Sequence, residues 1–263
     1  MVTLWTNICS YPIEAGVEDV MAHPAKMGYR GFEPALAIDG VKSFPAKKWK
    51  CCETQVERLR LEILIVSVGL FWQIAELETA LPVLEEFKVA KAAGMRAVFV
   101  LPNAAPLDSS PEGRLKRTAD WLRKAASIAR EHGIKIGLEN VWNRIFPGPL
   151  DFLKLLDMVG DESVGVYFDA GNTLPHSLPE HWIPLLGKHI LQVHVKDYCM
   201  AAGGLMRGFG IPYNGDVNWP AVWEALVGIG YEGYILPEVP PYSGDPYKAA
   251  EDALSSLRKI FNW

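Results

Sequence analysis

The sequence predicts an α/β protein built as a single (β/α)₈ barrel, also called a TIM barrel, over residues 1–263. Its 263 residues are close to the roughly 250 that are typical of this fold. Hydrophobic residues make up 49% of the chain, which is enough to bury a large core. Short apolar segments alternate with helical patterns along the chain, as expected for parallel strands that are each followed by a helix.

Eight short apolar segments have the composition of strands that are buried on both faces of a parallel sheet. We predict these strands at Val2–Ile8, Gly31–Glu33, Glu62–Val68, Ala97–Leu101, Ile134–Glu139, Val164–Asp169, Ile190–His194 and Gly233–Glu238. An open doubly wound sheet is the alternative arrangement, but it favours a glycine-rich turn after the first strand. That turn reads Cys9-Ser10-Tyr11-Pro12 here, so the closed barrel is preferred.

Helices are predicted between the strands, where apolar residues recur at spacings of three and four. They span Gly16–Met27, Ala46–Leu61, Ala75–Ala93, Glu112–His132, Leu150–Val159, Trp219–Val227 and Tyr247–Ile260. The sixth helix of the series is placed within Leu178–Leu186, where two prolines interrupt the pattern. Glycines such as Gly28, Gly133 and Gly160 follow the last periodic residues, as expected for helix C-termini.

Composition and charge exclude several classes of partner. The net charge is −5 and no stripe of basic residues is seen, so we expect no nucleic-acid partner. No apolar stretch is long enough to span a bilayer, so we expect no membrane association. The chain starts without a recognisable secretory signal, and its four cysteines form neither a disulfide framework nor a zinc motif. These features predict a cytoplasmic protein.

The last four predicted strands each end on a residue that can bind a metal ion. In chain order these residues are Glu139, Asp169, His194 and Glu238. Alone, each would more often be a hydrogen-bonded strand-end residue, but in a barrel all four strand ends surround one mouth. Three carboxylates buried together need a cation to offset their charge. Oxygen ligands with one imidazole suit Mn²⁺, Mg²⁺, Co²⁺ or Fe²⁺, and also accept Zn²⁺.

The segments "GLEN", "FDAGN", "VHVKD" and "PEVP", in that order, resemble the xylose isomerase-like barrel superfamily of sugar isomerases and epimerases. The resemblance covers nearly the whole chain. It implies one divalent cation, which we expect to be Mn²⁺, held by Glu139, Asp169, His194 and Glu238. It further implies that Glu139 and Glu238 are the catalytic acid and base, acting on a small ketose or keto acid through an enediolate. Metal stabilisation of the enolate oxygen makes the C–H bond beside the carbonyl acidic enough for this chemistry.

Six further residues are candidates for contacts with the sugar or keto-acid substrate. They are Glu33, Trp72, Trp142, Asn172, Lys196 and Arg207. By resemblance, Glu33 matches a frequent acidic position, Asn172 replaces a substrate-binding histidine, and Arg207 follows the histidine ligand at a longer spacing than in the epimerases. Lys196 either contacts an anionic group of the substrate or pairs with an acid. The two tryptophans offer faces for the apolar side of a sugar.

Three other functions are weighed against the isomerase. A lyase of the inosose dehydratase type needs the same metal and base, and it is the main alternative. An apurinic endonuclease would need extra histidines, but Val68-Gly69 and Asn172 stand at two of those places. A non-catalytic sugar-binding barrel is disfavoured because both Glu139 and Glu238 are present. Aromatic residues near Trp219–Trp223 would suit a homodimer contact.

Overall fold

The computed structural model describes residues 3–7, 17–33, 35–36, 65–72, 97–102, 110–142, 146–202, 207–245 and 247–262. The described strands are β1 Thr3–Asn7, β2 Gly31–Glu33, β3 Ala35–Leu36, β4 Ile65–Trp72, β5 Ala97–Pro102, β6 Lys135–Glu139, β7 Val164–Asp169, β8 Ile190–Val195, β9 Asp197–Tyr198, β10 Phe209–Gly210 and β11 Tyr234–Pro237. The described helices are α1 Val17–Met27, α2 Pro111–Glu131, α3 Pro149–Val159, α4 Ala170–Thr173, α5 Pro179–Leu186, α6 Trp219–Gly228 and α7 Lys248–Ile260. None of these helices combines the length and apolar character that a bilayer crossing requires.

The barrel closes through the second strand of the fold. Its strands follow the order β2-β1-β11-β8-β7-β6-β5-β4-β3, and neighbouring strands are parallel. The two ends of this order, β2 and β3, are separated in the chain by residue 34 alone. They therefore act as one interrupted strand, which joins the ends of the sheet into a closed barrel and confirms the predicted fold. Strands β9 and β10 form a separate antiparallel pair in the segment after β8.

Helices pack around the barrel through one apolar face each. In α2, Leu115, Trp121 and Leu122 are buried, while Ser110 accepts a hydrogen bond from the Gly113 N–H at the start of the helix. Every residue of β7 is buried, as expected for a strand covered on both faces. This packing fixes the strands and hence the positions of the residues at their carboxyl ends.

The described elements agree with most of the predicted ones, with differences at their ends. Strand β4 runs to Trp72, four residues beyond the predicted end at Val68, with a shift of register in its pairing with β5. Helix α4 was not predicted, because a single turn is too short to show a periodic pattern. The predicted helices Ala46–Leu61 and Ala75–Ala93 lie outside the described residues. That residues 1–263 form one domain stays a prediction.

The sequence suggested exposed aromatic residues near Trp219–Trp223, and for Trp219 this expectation was wrong. Trp219 is fully buried, and its indole N–H donates to Asp197 Oδ2 at 2.8 Å. Trp223 is half-buried and packs edge-on against Phe261, with ring centroids 4.9 Å apart. Both side chains pack within the barrel, so Trp219 offers no surface for a homodimer contact, and the homodimeric state stays a prediction.

Candidate metal centre

The register of the sheet brings the four predicted metal ligands to one end of the barrel. Asp169 at the end of β7 pairs directly with His194 on β8. Glu139 pairs with Tyr167, which lies two residues before Asp169 on the same face of β7. Leu236 pairs with His194, so Glu238 follows just beyond the level of the histidine. Neighbouring strands therefore direct all four side chains towards the same mouth.

The four side chains converge closely enough to share one cation. One ligand atom of each lies within 4.8 Å of the others. His194 Nδ1 is 3.4 Å from Glu139 Oε1, 3.6 Å from Glu238 Oε2 and 4.0 Å from Asp169 Oδ2. Glu139, Asp169 and His194 are buried, while the side chain of Glu238 is 18% exposed. The cluster is thus most accessible on the side of Glu238.

The electrostatics of the cluster show an excess of buried negative charge. Burial, together with the charge of Glu238, raises the pKa of the Glu139 carboxyl to about 7. Burial also raises the pKa of Asp169, although Lys196 opposes this shift. For His194, burial lowers the pKa, but the charges of Glu238 and Glu33 outweigh it and raise the pKa well above its usual value. A divalent cation would offset this excess charge.

Asp169 supplies a second indication that the donor set fits a metal ion. Its Oδ2 atom is buried and accepts no well-directed hydrogen bond within the described structure, although the Lys196 ammonium lies 2.7 Å away. The ion pair with Lys196 offsets part of the cost of burying this oxygen, and a lone pair that no directed hydrogen bond uses can still bind a metal ion. Three carboxylates and one imidazole without a thiolate are also the ligand types that suit Mn²⁺ and related ions. The residues therefore fit a divalent metal.

Lys196 lies inside the cluster. Its buried ammonium donates a hydrogen bond to Glu238 Oε2 and contacts Asp169 Oδ2. It also lies 4.9 Å from the centre of the Phe209 ring. Of the two roles predicted for Lys196, pairing with an acid is the one seen here, and its contact with a substrate stays a prediction.

Two asparagines hold the candidate ligands in place. The side chain of Asn140 donates to the Asp169 carbonyl at 2.8 Å and accepts the Asp169 N–H at 2.7 Å. Asn172 donates its backbone N–H to Asp169 Oδ1 at 2.8 Å and its amide to Glu139 Oε1 at 3.2 Å. The role of Asn140 was missed from the sequence, where its position directly after Glu139 was the available signal. Asn172 contacts two candidate ligands, and its predicted contact with substrate stays a prediction.

Glu33 lies against the far side of the histidine ring. Its side chain is fully buried, with Oε1 3.2 Å from His194 Nε2, and its Oε2 accepts a hydrogen bond from the Tyr167 hydroxyl. Both carboxylate oxygens of Glu33 are thus engaged by side chains inside the barrel. This position favours support of His194 over the predicted contact with substrate.

An aromatic cluster stands beside the candidate metal ligands. Trp142 is stacked on Phe209 with ring centroids 4.9 Å apart, and Tyr198 packs edge-on against both rings. The Trp142 indole N–H donates to the Asn172 carbonyl at 2.7 Å, which ties the cluster to the residues around Glu139. Phe209 and Tyr198 were missed from the sequence, because they come together only through the pairing of β10 with β9.

The two remaining candidates are placed only in part. Arg207 is exposed at the start of the segment that leads into β10, and a contact with substrate stays a prediction. Trp72 is the last residue of β4, at the carboxyl end of the barrel, and its side chain lies outside the described residues.

Asp197 organises the segment that carries the aromatic cluster. Its carboxylate is fully buried and accepts four N–H groups. Oδ1 accepts from the backbone of Tyr198 at 2.8 Å and of Val217 at 3.0 Å. Oδ2 accepts from the backbone of Tyr213 and from the Trp219 indole, both at 2.8 Å. One side chain thus joins β9, the segment after β10 and the start of α6.

The fold and the site define a closed (β/α)₈ barrel with a candidate divalent-metal centre at the carboxyl ends of its strands. The chain belongs to the xylose isomerase-like TIM barrel family, whose model matches residues 22–260. This finding confirms the family resemblance predicted from the strand-end segments.

The chain is also similar in fold to solved structures and in part of its sequence to curated proteins. The crystal structure of the IOLI protein with a bound zinc atom has a TM-score of 0.85 at 17% identity, over 99% of this chain and 98% of that one. D-allulose 3-epimerase from Methylomonas sp. in complex with D-allulose has a TM-score of 0.79 at 16% identity, over 98% and 97%. An inosose dehydratase of Clostridium perfringens is 24% identical over 169 residues, covering 57% of this chain and 56% of the relative. The chain thus spans about half the length of the curated relative it matches.

Proposed function

We propose that this protein is a divalent-metal-dependent isomerase or epimerase that acts on a small ketose or keto acid by proton transfer through an enediolate. The observation that carries the proposal is the convergence of the Glu139 and Glu238 carboxylates on one cluster with His194 and Asp169. A site that holds an ion only for stability needs metal ligands but no acid or base. Here two carboxylates in one partly accessible mouth also supply a base and an acid.

The residues fit a Mn²⁺ site, with Mg²⁺, Co²⁺, Fe²⁺ or Zn²⁺ as alternatives. Glu139, Asp169, His194 and Glu238 would hold the ion. When bound, the cation would act as a Lewis acid on the substrate carbonyl and so make the neighbouring C–H bond acidic. The zinc atom of the IOLI protein structure supports a divalent ion in a barrel of this shape.

The proton transfers fall to the two glutamates. One takes the proton from the carbon beside the carbonyl, and the other returns a proton to the enediolate. Asn172 orients Glu139 at 3.2 Å, while Lys196 holds Glu238. The stacked rings of Trp142 and Phe209 provide an apolar surface for the C–H face of a sugar. These contacts leave each carboxylate with a defined direction before a substrate arrives.

Exchange of substrate protons with D₂O tests this proposal. Ketoses, hydroxypyruvate and inososes are incubated in D₂O with the enzyme and Mn²⁺, and the ion is chelated before proton NMR spectra are recorded. We expect deuterium beside the carbonyl with the carbon skeleton intact. Glu139→Gln and Glu238→Gln should remove the exchange, while Glu224→Gln, a change at an exposed residue of α6, should leave it unchanged. Full exchange by the Glu238→Gln variant would contradict the mechanism.

A lyase of the inosose dehydratase type is the second candidate. It is supported by the similarity to the Clostridium perfringens inosose dehydratase. As in the isomerase, a base first removes the proton from the carbon beside the carbonyl. The β-hydroxyl then takes up a proton from the acid and leaves as water, and the enediolate is not reprotonated. In the same assay a lyase would yield a product lighter by a water molecule, with new vinylic signals. Substrate binding without exchange or water loss would indicate a non-catalytic sugar-binding barrel.

The proposal places a small sugar or keto acid as the partner of the site. That neither nucleic acid nor a membrane is a partner stays a prediction from the sequence, which has a net charge of −5. Cytoplasmic localisation and a homodimeric state are carried forward as predictions.

A further inference from the structure

A tyrosine and a glutamate form a continuous contact with the candidate histidine ligand inside the barrel. The Tyr167 hydroxyl donates to Glu33 Oε2, and Glu33 Oε1 lies 3.2 Å from His194 Nε2. The Tyr167 ring also packs on the His194 ring, with centroids 4.4 Å apart. All three side chains are fully buried. The histidine is therefore held on its edge and on its face by groups that solvent does not reach.

These contacts cross the interior of the barrel. Glu33 ends β2, while Tyr167 and His194 lie on β7 and β8, which are separated from β2 in the sheet by β1 and β11. Tyr167 lies two residues before Asp169, so it fills the barrel one layer below the cluster of carboxylates. The contact thus joins opposite walls of the barrel beneath the candidate metal centre.

The geometry defines which nitrogen of His194 faces the cluster. A carboxylate only accepts hydrogen bonds, so the nitrogen beside Glu33, Nε2, carries a hydrogen. The other nitrogen, Nδ1, points to Glu139, Glu238 and Asp169 at 3.4–4.0 Å. This is the orientation in which an imidazole binds a metal ion through one nitrogen and donates to a carboxylate through the other.

Tyr167 restricts Glu33 in turn. Its hydroxyl occupies Oε2, so that Oε1 remains directed at the imidazole. A buried carboxylate needs partners on both oxygens, and loss of one would allow the group to rotate or leave an oxygen unpaired. The orientation of the histidine therefore depends also on Tyr167, whose hydroxyl holds Glu33.

We propose that Glu33 and Tyr167 are positioning residues that fix the orientation of His194 and thereby set the affinity of the site for a divalent cation. The inference rests on the metal site of the proposed function. It assigns to Glu33 a role other than contact with substrate. It also assigns a role to Tyr167, for which the sequence pattern of the strand predicts only burial.

Metal titration of matched variants tests the positioning role. The full chain is stripped with a chelator, and its Kd for Mn²⁺ is measured by calorimetry. Glu33→Gln keeps the size of the side chain but removes its charge, and Tyr167→Phe removes only the hydroxyl. Tyr29→Phe is the control, because the Tyr29 hydroxyl is also buried but donates to the Ala250 carbonyl at 2.9 Å.

We expect Mn²⁺ binding about 10- to 100-fold weaker for Glu33→Gln and roughly 10-fold weaker for Tyr167→Phe, as for other residues that support a metal-bound histidine. Tyr29→Phe should bind as the wild type does. The visible absorption spectrum of the Co²⁺-loaded protein should change in Glu33→Gln and not in Tyr29→Phe, because it reports the geometry around the ion. A purely structural role would lower stability without changing this spectrum.

The outcomes separate this inference from the proposed function. If the wild type binds Mn²⁺ and folded Tyr167→Phe and Glu33→Gln bind it with unchanged Kd, the positioning role is overturned while the metal site stands. If Glu33→Gln does not fold, the nearly isosteric Tyr167→Phe decides the question alone. If the wild type binds none of Mn²⁺, Co²⁺ and Zn²⁺, the proposed function and this inference both fail.

Discussion

Replacement of Asp197 by asparagine should destabilise the protein through the four N–H groups that its carboxylate accepts. Both oxygens of Asp197 receive two donors each, from Tyr198 and Val217 on one side and from Tyr213 and Trp219 on the other. An asparagine has an acceptor on one side only, and its amide nitrogen would face two N–H groups on the other. The substitution is nearly isosteric, so the loss of acceptors is its main effect.

The magnitude follows from the number of donors left without a partner. A buried donor without an acceptor costs about 1–3 kcal/mol, so two of them cost about 2–6 kcal/mol. The lower half of this range is expected, because the Tyr213 N–H is only partly buried and water can replace part of its hydrogen bond. In proteins somewhat smaller than this one, each kcal/mol of lost stability lowers the Tm by roughly 2–4 °C. A loss of about 3 kcal/mol should therefore lower the Tm by roughly 6–12 °C.

Thermal and guanidinium unfolding of Asp197→Asn, followed by circular dichroism, measure this loss. Asp216→Asn is the matched control, because Asp216 lies in the same segment, is exposed, and accepts the Met200 N–H at 2.7 Å. We expect the control to lose less than about 1 kcal/mol. Amide hydrogen exchange should also accelerate at Tyr198 and Val217 in Asp197→Asn. A Tm equal to that of the control, with unchanged exchange at both amides, would refute the reasoning.

Two further predictions concern the metal site and its backbone. Mn²⁺ at 100 times its Kd should stabilise the wild type against unfolding by about 2.7 kcal/mol, and Asp169→Asn should lose most of this gain. Thermal unfolding with and without Mn²⁺ measures both values. Equal stabilisation of the two proteins would place the ion elsewhere. Gly171→Ala would bring a Cβ within 2.6 Å of the Lys196 carbonyl oxygen and should cost about 1–3 kcal/mol, measured by denaturant unfolding. Gly228→Ala, where nothing lies within 4 Å, is its control and should be neutral or stabilising.

The sequence was sufficient to predict the barrel and the four candidate ligands for a topological reason. In a parallel barrel the carboxyl ends of all strands surround one mouth. Residues at successive strand ends therefore lie close together, regardless of the conformation of the loops. The positions of Glu139, Asp169 and His194 could be predicted from the carboxyl ends of their strands alone. An error of a residue or two at the start of a strand does not change where the strand ends.

Contacts between distant strands were beyond sequence reasoning. Tyr167 and Glu33 are 134 residues apart, and Tyr167 lies within an apolar strand where an aromatic residue is read as core. Asp197 was recognised only as part of a strand-end segment, because two of its donors, Tyr213 and Val217, lie in a segment without periodicity. The contacts of Lys196 with Asp169 and Glu238 could not be predicted, because the spacing of residues along a strand does not define the direction of a long flexible side chain.

The location of the metal ion tests the central claim most directly. Crystals of the protein grown with Mn²⁺ would be measured at the manganese absorption edge, where anomalous scattering identifies the ion. The account predicts one strong anomalous peak per chain, in contact with Glu139, Asp169, His194 Nδ1 and Glu238, and its loss in Asp169→Asn crystals. A peak bound by other residues, or none in crystals of an active enzyme, would contradict it.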